Sequence, residues 1–159
     1  MSKIKFIKLS KLLDTYPNYI EKLKEGYLLL LTELTITNYI DTKVFIENIE
    51  RISNMGAIII AYIGEVNNDN FEIIASGTII IEPKIIRSGK SVGHIEDIVV
   101  TKHMRGKGIS QKILNLLKRE ANENNCYKVI LNCDDNVKNV YIKNGFKEKG
   151  LEMGEYFEI

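Results

Sequence analysis

A chain of 159 residues, 45% hydrophobic and 27% charged, has enough apolar surface for one domain with its own core, without metals or disulfides. Its formal charge of +1 excludes a global attraction to nucleic acid or to acidic membranes. The stretches YLLLL and GAIIIAYIG are too short to span a bilayer, and MSKIKFIKLSKLL lacks the continuous apolar run of a signal peptide, so a cytoplasmic protein is expected.

In chain order, KIKFIKL alternates and predicts a first strand. From Ser10 to about Glu25, Leu12, Leu13, Tyr16, Tyr19, Ile20 and Leu23 recur at helical spacing, with Ser10 as the cap. LLLLTELTIT reads equally as helix or loop, and DTKVFIENIERIS places Val44, Phe45, Ile49 and Ile52 on one helical face. AIIIAYIGEV and FEIIASGTIIIE, separated by NNDN, predict a hairpin with a four-residue turn and a bulge at Gly77. A strand over 93–100 follows. After RGKG, Ile109, Ile113, Leu116, Leu117 and Ala121 define an amphipathic helix. YKVILN predicts a strand, DNVKNVYIKN a short helix, and FKEKGLEMGEYFEI an irregular final strand or hairpin. The order implies an α/β fold, with a mixed sheet that is antiparallel early and parallel where a helix crosses over. Cys126 and Cys133 flank one strand, about 23 Å apart at about 3.3 Å per residue. A disulfide needs Cα atoms within about 7 Å, so two reduced thiols are expected.

Glu96 and Asp97 interrupt an otherwise apolar strand, GHIEDIVV, and should point to opposite faces because strand side chains alternate. Burying either charge unpaired costs several kcal/mol, on the order of known desolvation penalties. Each therefore needs a partner, a substrate or solvent. Five residues after the strand comes RGKGIS, where a glycine-rich turn opens a helix. Such a turn offers unpaired backbone N–H groups at the positive end of the helix dipole. Gly106 and Gly108 let that backbone curl, and Arg105 and Lys107 add charge, which makes a phosphate or pyrophosphate cradle. A cationic turn with no ligand is the bland alternative. RGKGIS has neither the P-loop spacing nor the G-x-G-x-x-G of a dinucleotide fold. His94 and His103, with no second His or Cys nearby, do not form a metal set.

Arg105-Gly106-Lys107-Gly108-Ile109-Ser110 resembles the acetyl-CoA loop of the GNAT acetyltransferases, with Ser110 in place of a smaller residue. YIKNGF resembles the Tyr-x-x-x-Gly-Phe element of the same superfamily. GHIEDIVV, RGKG, CYKVILNC and YIKNGF together, with LLLTELT and IIIEPKIIR upstream, resemble the glucosamine-6-phosphate N-acetyltransferase family over nearly the whole chain. The resemblance implies a single GNAT domain over 1–159 with a mixed central β-sheet flanked by helices. It also implies a homodimer whose final strand helps build the neighbour's site. The implied reaction joins acetyl-CoA and glucosamine 6-phosphate without a metal, in UDP-N-acetylglucosamine biosynthesis.

By the same resemblance, main chain of Ile98, Val99 and Val100 holds pantetheine, and Arg105, Gly106, Lys107, Gly108, Ile109, Ser110 and Gln111 hold pyrophosphate, with Tyr141 and Lys143 completing the cofactor side. Glu96 draws the proton from the amine, Asp97 orients the sugar and Tyr141 protonates the leaving thiolate. A phenol near pKa 10 serves a thiolate near 8.5 by a mildly uphill transfer. Thr32, Lys84, Ile85, Ile86, Arg87, Tyr127 and Lys128 fall at substrate positions, as does the main chain of Ile98. Asn132 departs from the pattern, standing where an acid facing the amino group is expected. Tyr156 departs too, in place of a phosphate-binding Arg, and the usual Asn is one position out of register from Tyr141. Two rival readings stay open: a GNAT enzyme for a peptide or polyamine, and a non-catalytic acyl-CoA sensor.

Overall fold

Pro17 cuts the helical pattern that begins at Ser10. A proline disfavours helical backbone in the residue before it, and Tyr16 sits at φ −124°, ψ 60°. In the computed structural model, which describes residues 3–157, the outcome is two helices, α1 (Leu9–Thr15) and α2 (Ile20–Leu31), joined by a 3-10 turn at Pro17–Tyr19. Strand β1 (Lys5–Lys8) runs directly into α1, so Ser10 lies inside the first turn and caps nothing. LLLLTELTIT completes α2 at Leu31 and continues as a loop. Asp41 caps α3 (Thr42–Met55), its carboxylate accepting from the Lys43 amide at 2.9 Å. Phe45 and Ile49 of α3 are buried, whereas Val44 is exposed.

One sheet holds five strands in the order β1-β2-β3-β4-β5, with β2 at Gly56–Ile63, β3 at Glu72–Glu82, β4 at Ser91–Val100 and β5 at Cys126–Ile130. Neighbours are antiparallel up to β4, and β4 and β5 are parallel. Between β3 and β4 lies a one-turn element, α4 (Ile86–Gly89), with Arg87 and Ser88 left-handed. The long α5 (Ile109–Glu123) makes the crossover that a parallel pair requires, and α6 (Lys138–Lys143) follows β5. The β2–β3 hairpin closes through residues 64–71 rather than a four-residue turn, because Gly64 at φ +75° ends β2 early.

The apolar run of β2 is buried on both sides. Ile58, Ile60 and Tyr62 pack under α1, α2 and α3 with Ile73 and Val99, while Ile59 and Ala61 pack with Ile79 and Ile95 under Ile113, Leu114 and Leu117 of α5. Each of those three fully buried α5 side chains contributes roughly 1.5–3 kcal/mol of apolar burial. No strand forms over residues 146–157, contrary to the sequence expectation. An extended segment needs a neighbour to take its backbone hydrogen bonds, and this one finds none on the sheet. Leu151, Met153, Tyr156 and Phe157 are between 82% and 97% exposed.

The register explains the charges in β4. Ser76 pairs with Val99 and Thr78 with Glu96, so Gly77 faces both Asp97 and Ile98. The extra residue of the bulge is therefore in β4, not at Gly77. Asp97 takes φ +52°, a left-handed conformation that Asp tolerates better than most residues. Gly77 is glycine for want of room: a Cβ there would lie 2.5 Å from Ile98 Cδ1 and 2.7 Å from Ile113 Cγ2. The bulge breaks alternation, since Ile95 and Ile98, three apart, both pack on the α5 face. Glu96 and Asp97 thus do not point to opposite faces. Both are exposed, and the Asp97 carboxylate is close enough to the Tyr27 phenol, on the α2 side, to help raise its pKa.

Candidate active site

Pairing between β4 and β5 stops at His94 and Ile130, while β4 continues to Val100. Beyond His94 one edge of β4 is therefore unpaired. The Thr101 N–H donates to Ile74 O on β3 at 2.9 Å. By alternation the main chain of Val99 also faces β3, and that of Ile98 and Val100 faces the gap. An extended ligand with amides of its own finds a ready edge there.

The gap leads to the glycine loop. A 3-10 turn (Lys102–Met104) precedes Arg105, and Gly106 (φ +75°) and Gly108 (φ +74°) turn the chain into α5. A Cβ at either glycine would meet nothing within 4 Å. The positive φ, not crowding, demands glycine, and the loop surface stays open. The Lys112 amide is the first of α5 to reach a carbonyl, Gly108 O at 3.1 Å, which leaves those of Ile109, Ser110 and Gln111 without intrahelical partners. Lys107 is exposed beside them. Arg105 is tethered inward instead: its Nε donates to Val100 O at 2.9 Å and its Nη2 lies 3.4 Å from Glu33 Oε2. Glu33 also accepts from the Thr101 hydroxyl at 2.6 Å and the Lys102 amide at 3.0 Å. These partners are 68–72 residues away in sequence, and no local pattern announces Glu33.

Glu96 is held above its ordinary carboxylate pKa by partial burial first and by the neighbouring Asp97 charge second, with His94 opposing. His94 Nε2 is 2.6 Å from Glu82 Oε2, and Glu82 is also ion-paired to Lys84. His103 Nε2 lies 3.2 Å from Glu72. Tyr141 on α6 packs edge-on against Phe146, ring centroids 6.0 Å apart, against the core beneath α5. Burial raises its phenol above the usual value, and the nearby Cys133 adds to the shift. Lys118 of α5, which periodicity does not single out, anchors this corner by donating to Asn144 O and lying 4.7 Å from the Phe146 ring centroid.

The remaining positions divide. Arg87 and Lys128 lie 5.7 Å and 5.5 Å from the centroid of the same Tyr127 ring. Lys128 pairs with Val92, so these cations sit near the start of β4, and Glu96 is about 13 Å further along at about 3.3 Å per residue. Thr32, at the end of α2, donates its hydroxyl to Leu29 O at 2.6 Å. Ile85, Ile86, Asn132, Lys143 and Tyr156 are exposed, and none is drawn to the glycine loop by a hydrogen bond among the described residues. One chain thus brings together the β4 edge, the glycine loop, Glu96 and Asp97 along one continuous stretch. It does not bring the Arg87–Lys128 pair to them.

Residues 28–146 match the model of the acetyltransferase (GNAT) family. The glucosamine 6-phosphate N-acetyltransferase of Candida albicans is 35% identical over 143 residues, covering 90% of this chain and 89% of that protein. Glucosamine 6-phosphate N-acetyltransferase 1 of Oryza sativa subsp. japonica is 33% identical over 141 residues, covering 89% and 85%. The crystal structure of glucosamine-6-phosphate N-acetyltransferase from Arabidopsis thaliana superposes with a TM-score of 0.83 at 30% identity, covering 98% of this chain and 99% of that one. With its mixed sheet, bulged fourth strand and glycine loop, the chain belongs to the acetyltransferase (GNAT) family.

Proposed function

We propose that this chain transfers the acetyl group of acetyl-CoA to the 2-amino group of glucosamine 6-phosphate, giving N-acetylglucosamine 6-phosphate and CoA. The observation that carries the reading is the unpaired edge of β4, which begins beside Glu96 and ends in the glycine loop. The relatives named for this substrate support the choice of amine. Acetyl-CoA supplies an activated acyl group as a thioester, and the chain's own groups do the rest.

Main chain of Ile98 and Val100 orients the pantetheine arm. The amides from Gly106 to Gln111 take the pyrophosphate with Lys107, while Arg105 stiffens the loop from within. Glu96, made more basic by its surroundings, accepts the proton that the attacking amine must lose. Asp97, projected by the bulge, orients the sugar with Asn132. Tyr141, kept protonated by burial, donates to the departing thiolate. Thr32, Lys84, Arg87, Tyr127 and Lys128 bind the sugar phosphate, with Ile85 and Ile86 beside them. The separation of Arg87 and Lys128 from Glu96 along β4 and the exposed apolar side chains of the 146–157 segment support a homodimer, in which that segment with Tyr156 completes the neighbouring site.

The reading includes a cytoplasmic enzyme of hexosamine biosynthesis. Cys126 and Cys133 are both free thiols, and among the described residues no helix is long and apolar enough to cross a membrane. The test is thiol release from acetyl-CoA with glucosamine 6-phosphate against glucosamine, a lysine peptide and spermidine. Turnover with the phosphorylated sugar alone is expected. Turnover of another amine instead would reassign the acceptor, and CoA binding without any turnover would support a sensor.

A further inference from the structure

Helix α2 ends at Leu31, and Glu33 follows in its last turn, its amide donating to Leu30 O at 3.1 Å. A helix C-terminus carries partial negative charge, so a carboxylate is disfavoured there unless donors offset it. Glu33 has three, and all belong to the connection between β4 and α5: the Thr101 hydroxyl, the Lys102 amide and the Arg105 guanidinium. The Thr101 hydroxyl, the Lys102 amide and the Arg105 charge, in that order among the partners, hold the Glu33 carboxyl below its ordinary pKa. The carboxylate is therefore ionised at neutral pH.

We propose that Glu33 is a positioning residue for the transfer reaction. It fastens the glycine loop to the end of α2, so that the loop is ordered before a pyrophosphate arrives and keeps a fixed spacing to Thr32. Arg105 is the second half of the device, because it ties Glu33 to Val100 O at the open edge of β4. Glu33 touches neither reactant; it acts through the loop. The inference rests on the proposed assignment of the loop to the pyrophosphate of acetyl-CoA.

Glu33→Gln keeps the shape but sets an NH2 group against donors where a carboxylate oxygen now accepts. Loss of charge-assisted bonds of this kind should weaken CoA binding about tenfold. The KM for acetyl-CoA should rise in step, while the KM for the sugar phosphate stays within about twofold, since its groups keep their own supports. A residue that merely stabilises the fold would lower Tm and leave this split unmoved. Calorimetric titration with CoA needs no acceptor, so it tests the clamp even if the amine is another one; wild-type turnover tests the amine separately. Unchanged CoA affinity and unchanged KM for acetyl-CoA in Glu33→Gln would overturn the proposal, whatever its Tm. Should that variant fail to fold, Thr101→Val removes one of the three bonds and should weaken CoA about threefold; unchanged affinity there overturns the proposal equally.

Discussion

The two ends of β4 are built in different ways. At its C-terminal end, residues 95–111 form a contiguous piece: bulge, open edge, glycine loop and the first turn of α5. That piece is anchored by Ile95, Val99 and Ile109 in the two cores and by Glu33 just beyond α2. At its N-terminal end, cations from α4 and β5 gather around Tyr127 on an exposed surface. The first end is complete within one chain. The second is spread over separate segments and largely exposed. Under the proposed function, the cofactor side assembles on folding and a second copy completes the acceptor side.

The largest expected effect comes from the proposed general acid. Tyr141→Phe removes the proposed acid and should lower kcat by about 10²–10⁴-fold, while CoA affinity and Tm stay near wild type. Stopped-flow thiol release and CoA titration read the two quantities apart. Normal turnover in this variant would remove Tyr141 from the mechanism.

Ending the chain at Gly150 sharpens the contrast more directly. It should convert a dimer to a monomer in sedimentation velocity and raise the KM for the sugar phosphate by at least about tenfold, with CoA binding retained. A shortened chain that still forms dimers and turns over normally would show that the two ends do not differ in this way.

Gly77→Ala attacks the self-contained end through its packing. The new Cβ meets side-chain ends of Ile98, Ile113 and Leu117, so overpacking of about 1–3 kcal/mol is expected, together with weaker CoA binding as the bulge shifts. Chemical denaturation measures the first and calorimetry the second.

The smallest effect is a shift in pH dependence. Glu96 must be ionised to accept a proton, so activity rises with pH through its raised pKa. The Asp97 charge contributes to that elevation. Asp97→Asn removes it, lowers the Glu96 pKa and moves the acid limb of the kcat/KM profile to lower pH, whatever happens to its height. A limb that moves upward or stays fixed argues against Glu96 as the base.

Much of the cofactor side was legible in residues alone because its chemistry is local. Two glycines at positive φ, a helix N-terminus and a strand before them lie within about twenty residues, and short-range geometry dictates their conformation. The apolar faces of α3 and α5 were equally legible, apart from Val44 and the exchange of half-buried Leu116 for buried Leu114. The acceptor side was legible only by resemblance, because Thr32, Arg87 and the Tyr127–Lys128 pair come from three separate segments.

What the sequence by itself determined, then, is the succession of strands and helices from β2 to α6, the glycine turn and most of the apolar patterns that decide which way each helix faces; the break at Pro17 was not among them. These follow from backbone sterics and side-chain periodicity, which act over a few residues. Tertiary structure decided the rest. The bulge at Asp97–Ile98 exists because Gly77, on the neighbouring strand, leaves room for the Ile98 side chain. Glu33 became a clamp because folding set the end of α2 against a loop some seventy residues away. The terminal segment stayed out of the sheet because a strand is made by its neighbour, and an apolar pattern without one leaves its backbone hydrogen bonds to water.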